Sequence, residues 1–122
     1  RFECIYNNPV IIIDGAHNKE GMNAFYETAK NYVGFGIIYS ALKDKDTHEM
    51  IKTLLKLTDD VTVCTFDHPR AASYDQLAED FPVKKEDWKT AVDNAIKYKK
   101  NMFITGSLYF ISLVRAYILH NY

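Results

Sequence analysis

The sequence predicts a doubly wound α/β fold, in which a mostly parallel sheet lies between two layers of helices. Short apolar stretches rich in β-branched residues alternate along the chain with stretches in which apolar residues recur every three or four positions. The first pattern is typical of strands buried on both faces, and the second of helices that pack one face against a sheet. Because short loops join these stretches, a three-layer α/β/α arrangement is expected.

The first half of the chain predicts an antiparallel edge strand followed by two strand–helix units. The apolar run Val10-Ile-Ile-Ile13 indicates a central strand, and Asn7-Asn8-Pro9 before it suits a tight turn from the preceding strand. Asp46 is expected to be the N-cap of the second helix, because its carboxylate can accept from the first free amides. The expected elements are residues 2–6, 10–13, 19–32, 36–40 and 46–57.

The second half of the chain predicts two strands and three helices. Ser73 and Asp87 are expected to be the N-caps of a short helix and of the helix after it. The last helix follows Gly106-Ser107, and its inward face is expected to carry Leu108, Ile111, Val114 and Ile118. The strands are expected at residues 61–66 and 102–105, and the short helix at residues 73–80.

Length and composition indicate a single domain over residues 1–122. Hydrophobic residues make up 48% and charged residues 25% of the chain, as in globular proteins. The net charge of −1 gives no electrostatic reason to bind nucleic acid or an acidic membrane, and no apolar run approaches the roughly 20 residues that cross a bilayer. We expect a cytoplasmic monomer, and since the chain opens at Arg1 without a starting Met, part of a longer protein.

Metal and disulfide sites are not expected. Cys4 and Cys64 lie in apolar, strand-like stretches without Cys-x-x-Cys spacing, which predicts buried thiols. The four histidines show no ligand spacing. The sequence also lacks Gly-x-x-x-x-Gly-Lys-Ser/Thr, so this domain alone is not expected to hydrolyse ATP.

Polar side chains follow four of the predicted strands. In doubly wound sheets, ligands bind beyond the carboxyl ends of the strands, near a topological switch point. The loops expected at that edge are residues 14–18, 41–46, 67–73 and 106–107. A binding site is therefore predicted where these loops meet.

The segment Asp14-Gly-Ala-His-Asn18 brings a carboxylate, an imidazole and an amide to the end of a strand and the start of a helix. These side chains could converge on a polar ligand. The alternative is that Asp14 or Asn18 only caps the helix.

Two other loops carry cations. Lys45 lies in the charged loop Leu42-Lys-Asp-Lys-Asp46, where a solvated surface side chain is the alternative interpretation. Arg70 and Ser73 lie in His68-Pro-Arg-Ala-Ala-Ser73, which leads into a helix start, a position that favours an anion. Here the alternative is that Ser73 is a helix cap alone.

In this order, Asp14-Gly-Ala-His-Asn18, Lys43-Asp-Lys-Asp46, His68-Pro-Arg-Ala-Ala-Ser73 and Ile104-Thr-Gly-Ser-Leu-Tyr109 resemble the C-terminal domain of folylpolyglutamate synthases. This family belongs with the Mur ligases, which carry a related D-x-A-H-x-P motif, usually with Tyr where Gly15 stands. Gly15 and the Gly-Ser-Leu-Tyr segment favour the folate branch. Lys19, where the family often has Pro, is a departure that changes none of the polar groups.

The resemblance implies a fold and a reaction. The fold is a six-stranded sheet of order 1-2-6-3-4-5 whose first strand is antiparallel to the rest, with the sixth strand a short edge strand near Val83. In the reaction, ATP phosphorylates the terminal carboxylate of a folate, and the amino group of L-glutamate attacks the acyl phosphate. An additional dihydrofolate synthase activity would depend on the pterin pocket of another domain.

The resemblance also implies a nucleotide site. Asp14 would hold the ribose hydroxyls of ATP, and Arg1, matching the Arg of an interdomain Pro-Gly-Arg segment, would reach the phosphates. His17, the candidate catalytic residue, would lie against the nucleotide or the glutamate. The P-loop, the Mg²⁺ ligands and a carbamylated lysine would all belong to an N-terminal ATPase domain that is absent from this sequence.

By the same resemblance, Lys45 and Ser73 fall where related ligases bind the carboxylates of the incoming amino acid. Arg70 is a further candidate for that task. The implied partners are therefore ATP, L-glutamate, a folate and the N-terminal domain.

Two other functions fit the sequence. One is a Mur ligase domain that adds an amino acid to a UDP-N-acetylmuramoyl precursor, which the acceptor used would distinguish. The other is a non-catalytic small-molecule binding or receiver-type module, which should cluster acidic residues at strand ends, where Asp14 and Asp67 are the candidates.

Overall fold

The computed structural model describes residues 2–122. The strands are β1 (Glu3–Asn7), β2 (Val10–Asp14), β3 (Gly36–Tyr39), β4 (Val61–Val63), β5 (Lys84–Lys85) and β6 (Met102–Thr105). The helices are α1 (Lys19–Ala29), α2 (Thr47–Leu55), α3 (Tyr74–Ala78), α4 (Trp88–Lys97) and α5 (Leu108–Asn121). Every element expected from the sequence is present.

The strands form one sheet in the order β1-β2-β6-β3-β4-β5. β1 pairs antiparallel with β2, and the other neighbouring strands pair in parallel. This confirms the order and the direction of the first strand. The edge strand expected near Val83 is β5, at the next two residues.

Successive side chains of a strand point to opposite faces of the sheet, so a strand can present apolar side chains to both faces. Helices cover both faces. Ile12, Ile37 and Phe103 pack against α1, α2 and α3. Ile13, Ile38 and Ile104 pack against α4 and α5. The result is the three-layer arrangement that the sequence predicts, with the sheet as the middle layer.

Each of the five helices begins at a polar N-cap whose side chain accepts a hydrogen bond from a backbone amide. The expected caps Asp46, Ser73 and Asp87 accept from the amides of Glu49, Gln76 and Thr90. Asn18 caps α1 and Ser107 caps α5. Such caps stabilise a helix by about 1 kcal/mol each, which helps to fix where each strand-end loop stops.

Three details differ from the expectation. The inward face of α5 is formed by Phe110, Val114 and Ile118, whereas the side chain of Leu108 is 57% exposed. Cys4 is exposed, because it lies on the edge strand β1, while Cys64 is buried as expected. β4 ends at Val63 rather than at residue 66, since its outer neighbour β5 has only two residues.

No helix among residues 2–122 is long and apolar enough to cross a bilayer.

Candidate functional site

The loops that follow β2, β3, β4 and β6 meet at the carboxyl edge of the sheet and line two adjoining hollows. The larger, here called the cleft, has a volume of about 910 Å³ and lies between β1, the loop after β2, α1 and the start of α5. The smaller, here called the small pocket, has a volume of about 190 Å³ and lies among the loops after β2, β3, β4 and β6. The binding site was predicted at this edge.

Asp14 lies at the wall of the cleft. Its side chain is 4% exposed, and its Oδ1 accepts a hydrogen bond of 2.9 Å from the amide of Ala16. Asp14 does not cap α1, because the cap is the side chain of Asn18, whose Oδ1 accepts from the amide of Gly21 at 2.7 Å. The helix therefore starts without using the Asp14 carboxylate as its cap.

His17 lies between the two hollows and lines both. Its Nδ1 is 2.9 Å from the carbonyl oxygen of Gly15. A carbonyl can only accept, so Nδ1 carries the proton in this contact, and in a neutral ring Nε2 keeps its lone pair. The ring is thus oriented by the loop itself, with an acceptor nitrogen that a ligand can use.

Leu108, at the first turn of α5, also lines both hollows. It packs against the backbone of Gly15, so closely that a β-carbon at Gly15 would overlap its Cδ2. Glycine at this position therefore leaves room for the Leu108 side chain in its observed position, although this exposed side chain could turn away from a β-carbon.

The two loops that carry the predicted cations are joined by backbone hydrogen bonds. The amide of Lys43 donates to the carbonyl of Arg70 at 2.7 Å, and the amide of Ala72 donates to the carbonyl of Ala41 at 2.9 Å. The side chain of Gln76 adds a bond of 2.9 Å from Nε2 to the carbonyl of Lys43. The loops after β3 and β4 therefore form one unit.

The small pocket brings together three of the residues that the sequence singled out, His17, Lys45 and Arg70. Arg70 makes an ion pair of 3.7 Å with Asp44, but both side chains are about half exposed, so the pair holds the guanidinium weakly. Among residues 2–122 no ion pair involves Lys45. Two cations beside an imidazole suit a ligand with carboxylate groups.

Ser73 is placed at the start of α3 rather than in the small pocket. Its Oγ accepts from the amide of Gln76 at 3.1 Å, and the residue is exposed. The cap is confirmed, and a second role in binding an amino acid stays a prediction. Arg1, predicted to reach the phosphates of ATP, lies outside the described residues.

One wall of the small pocket was not foreseen. Tyr109 lines it and packs against the ring of His68, with 4.7 Å between ring centroids and 46° between the ring planes. Sequence reasoning treated the Gly-Ser-Leu-Tyr segment as a family mark and assigned no contact to its tyrosine. The sequence signal that could have indicated this wall is an aromatic residue in the first turn of a helix that follows a glycine at a strand end.

The thiol of Cys64 adds no reactive group to this edge. Burial raises the pKa of the Cys64 thiol to about 12, with smaller contributions from Asp87 and Glu86, so it remains protonated and unreactive. Within residues 2–122, no three His, Cys, Asp or Glu side chains are grouped so that they could hold a metal ion.

Comparison with known proteins gives a family match. Residues 1–107 match the family described as Mur ligase, glutamate ligase domain. The chain is 36% identical to the dihydrofolate synthase/folylpolyglutamate synthase of Bacillus subtilis, over 94% of this chain and 29% of that protein. The chain thus spans less than a third of the length of this relative.

Two solved structures resemble the fold over 97% of this chain. One is Escherichia coli FolC in complex with ADP, with a TM-score of 0.82, 26% identity and 31% of that chain covered. The other is a bifunctional folylpolyglutamate synthase/dihydrofolate synthase with Mn, AMPPNP and L-glutamate bound, with a TM-score of 0.83, 25% identity and 31% coverage.

Proposed function

The chain belongs to the Mur ligase family, as a glutamate ligase domain, and on that premise we propose that it is the C-terminal domain of a folylpolyglutamate synthase. The carrying observation is that His17, Lys45 and Arg70, from three separate loops, line one pocket beside the cleft that holds Asp14. Two adjoining hollows, one large and one cationic, fit a nucleotide and an acidic amino acid. The relatives whose names include folylpolyglutamate synthase support this substrate class.

The proposed reaction is the ATP-dependent addition of L-glutamate to a folate, such as tetrahydrofolate or its polyglutamates. A carboxylate is a poor electrophile, so ATP first converts the terminal carboxylate of the folate into an acyl phosphate. The glutamate amine then attacks that carbonyl, an amide bond forms, and ADP and phosphate are released. The same steps would join glutamate to dihydropteroate if the pterin pocket of the other domain accepts it.

The cleft is proposed to take the adenosine part of ATP. The buried Asp14 carboxylate can accept hydrogen bonds from both ribose hydroxyls. Hydrogen bonds to a charged acceptor are stronger than those to a neutral acceptor. His17 borders the cleft and offers Nε2. Arg1 stays a candidate for the phosphates on the strength of the family resemblance alone.

The small pocket is proposed to take L-glutamate. Its two carboxylates match the ammonium of Lys45 and the guanidinium of Arg70. Ser73 is proposed as an additional hydroxyl contact at the same loop. Because the loops of Lys45 and Arg70 are joined by backbone bonds, the backbone positions from which the two cationic side chains extend are fixed without a ligand.

His17 is proposed to act on the amine. Glutamate enters with a protonated amino group, which cannot attack until it loses a proton. The Nε2 lone pair of a neutral His17 can take that proton, while Nδ1 stays bonded to the carbonyl of Gly15. This places the base at the border between the amino acid and the nucleotide.

The rest of the machinery is proposed to lie in an N-terminal ATPase domain joined to this one, in a monomeric cytoplasmic enzyme. Mg²⁺ bound with ATP would offset the charge of the phosphates, and we assign its protein ligands to that domain. The C-terminal domain, which is the present chain, would contribute the amino acid pocket and the contact to the ribose, and it would exclude water from the site.

The purified 122-residue chain is expected to fold but to show no ligase or ATPase activity, because it lacks a P-loop for the triphosphate. The measurement is phosphate release and amide formation with ATP, tetrahydrofolate and glutamate. The two-domain enzyme is the positive control, with a UDP-N-acetylmuramoyl precursor as the competing acceptor. Amide formation by the chain alone, or use of the precursor by the two-domain enzyme, would contradict the proposal.

Asp14→Asn in the two-domain enzyme is expected to raise the KM for ATP roughly tenfold or more. A hydrogen bond to a charged acceptor contributes about 1.5 to 3 kcal/mol, and asparagine keeps the shape but not the charge. Steady-state titration of ATP at saturating folate and glutamate measures this. An unchanged KM would remove this strand end from the nucleotide site.

A further inference from the structure

Two fully buried hydroxyls lie at the carboxyl ends of adjacent central strands. The Oγ of Ser40 and the Oγ1 of Thr105 have no hydrogen-bond partner among residues 2–122, and both side chains are 0% exposed. An unpaired buried hydroxyl costs stability, and an apolar side chain of the same shape would remove that cost. Each such group therefore calls for a physical reason.

The two hydroxyls point to opposite faces of the sheet. Along β6, Phe103 packs toward α1 and α2, Ile104 packs toward α5, and Thr105 returns to the side of Phe103. Tyr39, the last residue of β3, lies on that same side. If the alternation continues, Ser40, the next residue, faces the other side. Of the two hydroxyls, only that of Thr105 therefore shares a face of the sheet with the Asp14 side chain.

Thr105 lies directly between two register partners, Asp14 on β2 and Tyr39 on β3. In register, side chains of neighbouring parallel strands point the same way about 4.8 Å apart. Tyr39 presents its ring, and its hydroxyl at the far end donates to the Sδ of Met50 at 3.7 Å. Asp14 is thus the neighbour that offers an acceptor at the height of the Thr105 hydroxyl.

We propose that the Thr105 hydroxyl is a positioning group for Asp14, donating to its carboxylate when the ribose hydroxyls of a nucleotide occupy the cleft. The inference rests on the proposed function, since it assigns Asp14 to the nucleotide. The amide of Ala16 donates to Oδ1, and the Thr105 hydroxyl would add a donor from the neighbouring strand, which restrains the plane of the carboxylate further. Thr105 acts through Asp14 and touches no substrate.

The test uses Thr105→Val, which keeps the shape and removes the donor, and Thr105→Ser, which restores the donor. In the two-domain enzyme, Thr105→Val is expected to raise the KM for ATP about fivefold and to leave the KM for glutamate unchanged. Thr105→Ser is expected to return the KM for ATP to near the parent value. In the 122-residue chain, Thr105→Val is expected to keep or raise the Tm, because it removes an unpaired hydroxyl.

Ser40→Ala is the matched control, since it removes an equally buried hydroxyl that faces away from the cleft. It is expected to keep or raise the Tm and to leave the KM for ATP unchanged. In the double variant Asp14→Asn/Thr105→Val, the KM for ATP is expected to equal that of Asp14→Asn alone, because Thr105 acts only through Asp14.

The outcomes separate this inference from the proposed function. An Asp14→Asn variant with an unchanged KM for ATP overturns the nucleotide site itself, and the role of Thr105 with it. If Asp14→Asn raises that KM but Thr105→Val does not, or if Ser40→Ala raises it as much, the role of Thr105 alone is overturned. A fall in Tm with no change in the KM for ATP would assign Thr105 to packing instead.

Discussion

Gly106→Ala is expected to lower the free energy of unfolding of the chain by about 3 kcal/mol or more. Gly106 has a φ of +121°, a conformation that residues with a β-carbon rarely adopt. An added β-carbon would also overlap the carbonyl oxygen of Ser40 and lie 2.7 Å from Cε1 of Tyr39. Neither neighbour can move away easily, because one is the buried backbone directly after β3 and the other a fully buried ring.

Gly34→Ala is the matched control for this prediction. Gly34 also has a positive φ, +79°, but a β-carbon there would meet nothing within 4 Å. Its cost is therefore the conformational one alone, about 1 kcal/mol. Urea unfolding followed by the fluorescence of the buried Trp88 measures both variants. Equal losses would mean that the close approach of β6 to β3 adds nothing to stability.

The close approach at Gly106 also shapes the site. The residues that follow it, Ser107, Leu108 and Tyr109, begin α5 and line the small pocket. A substitution that pushed the end of β6 away from β3 would carry this wall with it. Stability and ligand binding are therefore expected to fall together in Gly106→Ala.

The elements of the fold could be predicted because their signals are local. The run Val10-Ile-Ile-Ile13 gave a buried strand, and Asp46, Ser73 and Asp87 gave helix starts that the structure confirms. Strand order is different, since periodicity within a segment does not encode which segment it pairs with. That order came from the family resemblance, and the structure confirms it.

The shape of the site was less accessible to sequence reasoning. Helical spacing grouped Leu108 with the core residues of α5. In the structure, the side chain of Leu108 is instead exposed and lies next to Gly15. The backbone bonds between Lys43 and Arg70, and between Ala41 and Ala72, join irregular loops that have no periodic signal. Lys45 and Arg70 could be predicted from the sequence, but the hydrogen bonds that join their loops are seen only in the structure.

Lys45→Ala is expected to raise the KM for glutamate at least about tenfold, while the KM for ATP changes little. The lost contact is a charge-assisted hydrogen bond in a pocket of about 190 Å³, where such a loss costs roughly 2 to 4 kcal/mol if water is excluded. No ion pair within residues 2–122 involves the Lys45 ammonium. The substitution should therefore weaken glutamate binding rather than lower the stability of the fold.

Lys43→Ala is the control for this prediction. Lys43 is an exposed lysine of the same loop, and its backbone bonds to Arg70 and Gln76 survive truncation of the side chain. It is expected to keep the parent KM for glutamate and, at the same net charge as Lys45→Ala, to exclude a general electrostatic effect. The measurement is steady-state titration of glutamate at saturating ATP and folate.

Ser73→Ala distinguishes the two roles left open for that hydroxyl. As a cap alone, Ser73 predicts a loss of about 1 kcal/mol in stability and unchanged glutamate saturation. As a ligand contact, it predicts a higher KM for glutamate in addition. If Lys45→Ala and Ser73→Ala both saturate at the parent glutamate concentration, neither residue belongs to the amino acid site, and the cationic pocket beside His17 must serve another anion.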